Sequence, residues 1–294
     1  MNLEDIKVKT FPGGEIQVEL EEFDGQRFIF ASIRNSDDIM KLLLVTDAFK
    51  RKYGFIPELY LPYIPYARQD RVANAGESLS IKVFTDLINL QEYPKVHVLD
   101  PHSDVSSVLI NNIHITDSTV FAKKVWRNLP DEYKKDAIII APDAGALKKT
   151  YKIAKAVNYD KEVVFCEKQR DTKTGEITGT KVYTDDFKDK TFIMFDDICD
   201  GGRTFIEIAK VLKEKGAKKV ILAVAHGIFS KGLDVIFEYI DEAICTDSFK
   251  AITEVIPNEL RLEGKYFMQF NSLKLMMGDE YCSKTLKKDL RKAI

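Results

Sequence analysis

The stretch TFIMFDDICDGGRTF, Thr191 to Phe205, decides how the rest of the chain reads. Phe192 to Phe195 form an apolar run of the length of a buried strand. Two adjacent carboxylates follow, Asp196 and Asp197. Asp200, Gly201 and Gly202 make a small-residue turn, and Thr204 starts a helical pattern carried by Ile208, Val211 and Leu212. A strand that passes to a helix through a glycine turn leaves free N–H groups at the helix N-terminus, where the dipole favours phosphate. The carboxylates can accept hydrogen bonds from sugar hydroxyls, so a sugar phosphate satisfies both halves. A buried strand ending in a solvated acidic turn accounts for the same residues equally well.

Outward from this stretch the same rhythm repeats. Glu15 to Leu20 and Gln26 to Ile33 read as strands joined by a turn at Asp24-Gly25. Ser36 is a good N-cap for a helix with Ile39, Leu42, Leu43 and Phe49 on one stripe, closed by Gly54. Glu58 to Tyr63, Val96 to Leu99, Ile138 to Ala141, Val163 to Cys166, Val220 to Val224 and Ala243 to Thr246 are further strands. Helical stripes lie between them, at Ile81 to Ile88, Val120 to Trp126, Ala146 to Ala156, Thr204 to Lys215 and Leu233 to Tyr239. Alternation of this kind predicts an α/β fold with mainly parallel sheets flanked by helices. The 294 residues suit two domains, 1–145 and 146–294. Lys284 to Ile294 reads as a final amphipathic helix that could pack on the first domain.

A net charge of −2 gives no case for nucleic acid or a membrane surface. No apolar run reaches spanning length, and the four cysteines are widely spaced, which suits a reducing, cytoplasmic setting. Neither a Walker loop nor a dinucleotide glycine fingerprint occurs. Nucleotide chemistry would therefore need another cradle. In YIPYARQDR, Arg68 and Arg71 flank Gln69 and Asp70 directly after a strand; they could clamp a polyphosphate or form a surface ion-pair cluster. In LDPHSD, His102 follows a strand's carboxyl end, a favoured ligand address that structural histidines also occupy. Asp143, in IIIAPDAG, is either a helix cap or a magnesium ligand. Gln169 to Lys181 is polar and glycine-containing, a solvated hairpin loop or a lid with Lys168 at its base and Arg170 within it.

Taken in order, these segments resemble the ribose-phosphate pyrophosphokinase family. The resemblance rests on YIPYARQDR, D-x-HS at Asp100 to Ser103, PDAG at Pro142 to Gly145, K-x-R at Lys168 to Arg170, the acidic loop Asp196 to Thr204, HGIFS at His226 to Ser230 and CTDS at Cys245 to Ser248. It implies two tandem type I phosphoribosyltransferase-like domains in a homo-oligomer, a dimer or a hexamer. It implies magnesium-dependent transfer of the ATP β,γ-diphosphate to the anomeric hydroxyl of ribose 5-phosphate, giving phosphoribosyl pyrophosphate and AMP. ATP would be bound by Arg68, Gln69, Asp70, Arg71 and His102, with Phe11 and Glu15 at the adenine side of a neighbouring subunit. His102 and Asp143 would hold or orient Mg2+, and Lys168 and Arg170 would be catalytic. Asp196, Asp197, Asp200, Gly201, Gly202, Arg203 and Thr204 would bind the sugar phosphate.

Two departures from the family pattern stand out. FPGGE at Phe11 to Glu15 lacks the acid of the family's F-x-D-G-E, and the usual DTxGT turn is Asp200-Gly201-Gly202-Arg203-Thr204. A glycine for threonine and an arginine for glycine open the turn and add a cation. That suits a larger acceptor, the ribose 5-phosphate moiety of ADP-ribose, with ADP-ribose pyrophosphate as product for NAD synthesis. A phosphoribosyltransferase would need the acidic loop but neither Arg68 to Arg71 nor Lys168 to Arg170. An inactive regulatory subunit would be expected to lose lid cations or metal residues, and Lys168, Arg170, His102 and Asp143 all stand.

Overall fold

In a computed structural model, the structure describes residues 1–21, 25–170, 177–251, 254, 264–278 and 290–293. The chain divides into two compact units, 1–116 with 272–282, and 117–271 with 283–294. The sequence boundary at 145/146 and this division differ for a physical reason. Strand β7 (Ala137–Ala141) is hydrogen-bonded to β10 (Thr191–Cys199), which ties it to the sheet of the second unit.

The first unit carries a four-stranded parallel sheet in the order β3 (Phe28–Phe30), β4 (Glu58–Tyr60), β5 (Val96–Leu99), β6 (Ile113–Thr116). Helix α1 (Ser36–Tyr53) starts one residue after its cap. The Asn35 side chain accepts from the Asp38 N–H, and Gly54 closes the helix at φ 77°. Its stripe of Ile39, Leu42, Val45 and Phe49 packs with Ile29, Leu59, Val96 and Val98 and with Ile81, Phe84 and Ile88 of α2 (Ser80–Asn89). A short helix, α3 (Asp104–Leu109), links β5 to β6. The strand expected after Glu15 is β2 (Ile16–Val18). It pairs with β1 (Val8–Thr10), across the turn at Phe11 to Glu15, rather than with the strand that follows it. There the Phe11 N–H donates to the Glu15 carbonyl at 2.8 Å, and Gly14 takes φ 91°.

The second unit opens with two helices, α4 (Ser118–Asn128) and α5 (Asp131–Lys135), ahead of β7. Among the described residues it carries an eight-stranded sheet. The order is β14 (Leu290–Ala293), β13 (Tyr266–Phe270), β12 (Glu242–Thr246), β11 (Lys219–Gly227), β10, β7, β8 (Val164–Arg170), β9 (Ile177–Val182). Its centre, from β7 and β10 through β13, is parallel and buried on both faces. After α6 (Leu147–Ala156), helix α7 (Arg203–Glu214) covers one face with Phe205, Ile208, Ala209 and Leu212 against Phe192, Met194, Val220 and Leu222. β8 and β9 form an antiparallel hairpin. Of the expected lid, 171–176 lie outside the described residues, as do the side chains of Lys168 and Arg170.

The expected C-terminal helix is corrected in part. Leu290–Ala293 is a strand, β14, paired antiparallel with β13. The open edge of β13 offers a full row of backbone hydrogen bonds, which outweighs a short helical stripe. Residues 284–289 lie outside the described set. The chain returns to the first unit for one helix, Ser272–Met277, which packs on β5. Among the described residues, no helix is long and apolar enough to cross a membrane.

Candidate functional site

Strand β10 does not stop at Phe195. It runs through both acids to Cys199, with Asp196 opposite Val224 and Ile198 opposite His226 on β11. The acidic pair is therefore fixed in a central strand rather than in a solvated turn, at the carboxyl end where ligands gather in parallel sheets. Asp197 is buried and Asp196 partly so. The Asp197 N–H donates to Asp196 Oδ1 at 2.9 Å. Burial, and then the neighbouring Asp197 carboxyl, push Asp196 well above the usual carboxylate range, while Lys149 pulls it down.

That shift has a stability consequence with a definite sign. The folded chain holds the Asp196 proton to higher pH than the unfolded chain does. Stability is therefore lost as pH rises from the ordinary value of 3.8 towards the raised one. Asparagine cannot ionise. Asp196→Asn is expected to raise the unfolding free energy at pH 8 and to leave it unchanged near pH 4. Urea unfolding at the two pH values measures it; an equal gain at both would rule out ionisation of Asp196 as the cause.

After Cys199 the backbone turns. Gly202 sits at φ 75°, caps α7 without a side-chain hydrogen bond, and accepts the first helical bond from the Ile206 N–H at 3.0 Å. The N–H groups of Arg203, Thr204 and Phe205 thus precede the helix's own ladder, an arrangement suited to an anion. The turn is held from the neighbouring strand. The Ile228 and Phe229 N–H groups donate to the Cys199 carbonyl, and the Ser230 N–H donates to the Asp200 carbonyl at 3.2 Å. His226 is fixed in turn by its Nδ1 contact with Ser248 Oγ at 2.8 Å. Gly201 has no positive φ, and the nearest atoms to a Cβ there belong to the Lys231 side chain, at 3.5 Å. Arg203 is largely exposed, its Nε donating to Glu207 Oε1 at 2.8 Å along the helix.

Asp143 follows β7, the strand beside β10, and its Oδ1 accepts from the Ala146 N–H at 3.0 Å. That bond holds the turn leading into α6, whose own N-cap is Ala146, without a side-chain cap. In the first unit, Tyr63, Ile64, Pro65 and Ala67 are buried under the YIPYARQDR turn, while Arg68, Gln69 and Arg71 are exposed. Tyr66 takes φ 61°, and its carbonyl accepts from the Gln69 N–H at 2.9 Å. The apolar half anchors the turn and presents the polar half. Asp70 Oδ1 lies 3.8 Å from Arg71 Nε, a loose pair that leaves the guanidinium extended. His102 is exposed just beyond β5, following the buried Asp100 at φ 41°. Phe11 and Glu15 face each other across the tip of the β1–β2 hairpin.

One residue at the site carried no role in the sequence. Lys149, in the first turn of α6, reaches within 3.7 Å of Asp197 Oδ1. Its only signal was its place one helical turn after PDAG.

Residues 1–91 match the family model described as the N-terminal domain of ribose phosphate pyrophosphokinase, and residues 104–255 match the phosphoribosyl transferase domain. A ribose-phosphate pyrophosphokinase of Campylobacter jejuni is 32% identical over 266 residues, covering 87% of this chain and 82% of that protein. The chain belongs to the ribose-phosphate pyrophosphokinase family. The enzyme of that name from Pyrococcus abyssi is 28% identical, with 88% and 87% covered. The crystal structure of phosphoribosylpyrophosphate synthetase from Mycobacterium smegmatis aligns with a TM-score of 0.72 at 25% identity, over 92% of this chain and 87% of that one. Within this pyrophosphokinase chain, Arg68 to Arg71 fall in the N-terminal match, and Asp143 and the β10–α7 turn fall in the transferase match.

Proposed function

We propose that the chain transfers the β,γ-diphosphate of ATP to the anomeric hydroxyl of ribose 5-phosphate, forming phosphoribosyl pyrophosphate and AMP. The observation that carries this reading is the β10–α7 segment. It combines two strand-borne acids with a glycine-capped helix start, in a chain of this family. Asp196 and Asp197 accept the ribose hydroxyls; the turn from Asp200 to Thr204 holds the 5-phosphate. Arg68 and Arg71 hold ATP phosphates by forked hydrogen bonds, with Gln69, Asp70 and His102 beside them. Phe11 and Glu15 serve the adenine of a neighbouring copy, so the active protein is an oligomer.

Among the described residues, no three His, Cys, Asp or Glu side chains converge to hold a metal ion. Asp143, a hard oxygen donor, fits magnesium, which draws most of its ligands from phosphates and water, and His102 would orient rather than ligate it. When bound, magnesium would neutralise phosphate charge. Phosphoryl-type transfer is chiefly positioning and charge stabilisation, and Lys168 and Arg170 supply cations for the oxygen that leaves with AMP.

ADP-ribose is the second reading of the acceptor. It is favoured by an open turn at Gly201, bordered by the alkyl chain of Lys231, with the Arg203 cation at the helix start. Incubation with ATP and either acceptor, with products resolved by mass and AMP measured, decides between them. No AMP with either would refute the proposal. If ADP-ribose is used, Gly201→Thr is expected to reduce kcat/KM for it about 10-fold or more relative to ribose 5-phosphate, because the added side chain fills the turn. An unchanged ratio would remove Gly201 from acceptor selection.

A further inference from the structure

Lys149 is a partly buried lysine beside the acidic pair. Its side chain is 23% exposed and its Nζ lies 3.7 Å from Asp197 Oδ1, a carboxyl whose side chain is 10% exposed. Asp197 is joined to Asp196 through its backbone N–H. Two adjacent carboxyls taken out of water repel each other unless a cation or a shared proton offsets them. Lys149 acts on both acids, standing beside Asp197 and opposing the rise at Asp196. Lys149 comes from α6. His226, on β11, is tied to Ser248. Asp143, beyond β7, is occupied in part by the Ala146 N–H. Lys149 is the cation that approaches the pair from the helix layer.

We infer that Lys149 is a positioning residue for the acceptor: its ammonium, 3.7 Å from Asp197 Oδ1, favours the charged form of the Asp196–Asp197 pair that takes the ribose hydroxyls. The inference rests on the acceptor-site reading proposed above. Lys149 does not touch the sugar; it acts through Asp197. A sugar hydroxyl donates a proton in its hydrogen bond, and a carboxyl that already holds a proton between itself and its neighbour accepts less well. Without the cation the pair retains a proton to higher pH, and acceptor binding weakens where that proton is present.

The test uses Lys149→Met, which keeps the length of the side chain and removes its charge, and Lys149→Arg, which restores the charge. Acceptor KM and kcat are measured across pH with ribose 5-phosphate or ADP-ribose, whichever turns over. Lys149→Met is expected to raise acceptor KM about tenfold or more at the acidic end of the range, with the difference narrowing as pH rises and the carboxyls ionise. Lys149→Arg is expected to recover most of the loss, and KM for ATP is expected to stay within about threefold throughout. An acceptor KM raised equally at every pH would overturn the inference, since it would indicate direct contact or a disturbed fold. So would a Lys149→Met enzyme indistinguishable from the parent. Asp197→Asn separates this from failure of the site itself. If that change leaves acceptor KM unaltered, the acceptor reading fails; if it raises KM while Lys149→Met does not, Lys149 alone is ruled out.

Discussion

Gly202→Ala is expected to destabilise the chain by about 2–5 kcal/mol, while Gly201→Ala leaves stability nearly unchanged. The two glycines are neighbours with opposite constraints. Gly202 holds φ 75°, a left-handed conformation that an L-residue adopts only at roughly 1–2 kcal/mol. A Cβ on it would also stand 2.1 Å from Ile236 Cδ1. Ile236 is 1% exposed within the core shared by β10, α7 and β11, so its methyl has nowhere open to go. Repacking such a site adds about 1–3 kcal/mol. At Gly201 the backbone is ordinary, and the nearest atoms belong to the flexible Lys231 chain at 3.5 Å. Urea denaturation of the two variants reads the difference. A Gly202→Ala midpoint equal to that of Gly201→Ala would refute the conformational argument. The same change shifts the start of α7, so weakened acceptor binding is expected to accompany the lost stability.

Lys168→Ala is expected to lower turnover about 10²–10³-fold with the fold retained, the equivalent of roughly 2.7–4 kcal/mol of barrier for one charge-stabilising donor. The position is built for such a deletion. Lys168 pairs with Thr180 across the β8–β9 hairpin through backbone groups, which alanine keeps. In the proposed transfer, negative charge grows on the oxygen that departs with AMP, and an ammonium is worth most when that charge is largest. The loss should therefore appear in kcat and kcat/KM together, with KM for ATP little changed. Single-turnover AMP release with an unaltered circular dichroism spectrum is the decisive pairing. Full activity in a folded variant would remove Lys168 from the chemistry. Arg170→Ala, by the same argument, should be of comparable size.

The segments that carry the family resemblance are also the ones with strong local physics. Phe192 to Phe195 is apolar enough to be a central strand in any arrangement, and it is. Gly54 and Asn35 fix α1 to within one residue of its reading. Where the reading departed from the fold, the missing information was not local. Asp196 and Asp197 look like the start of a turn because charged residues rarely enter a central strand. Pairing with Val224 and the contact from Lys149 make their place there tolerable. Ile16 to Val18 reads as joined to the strand after it, but it pairs with Val8 to Thr10 across the turn at Gly14. Leu290 to Ala293 had a helical stripe and became an edge strand.

By itself, then, the sequence determined the alternation of strands and helices, the small-residue turn at Gly201 and Gly202, and the ordered set of polar turns that marks the family. These follow from periodicity, backbone conformational limits and side-chain chemistry, all expressed within a few residues. Tertiary structure alone decided that the acidic pair lies within β10, that Lys149 reaches it from α6, and that the end of the chain completes a sheet edge. Those outcomes depend on unpaired backbone edges and buried charges finding partners far away in the chain, a demand that no local pattern records.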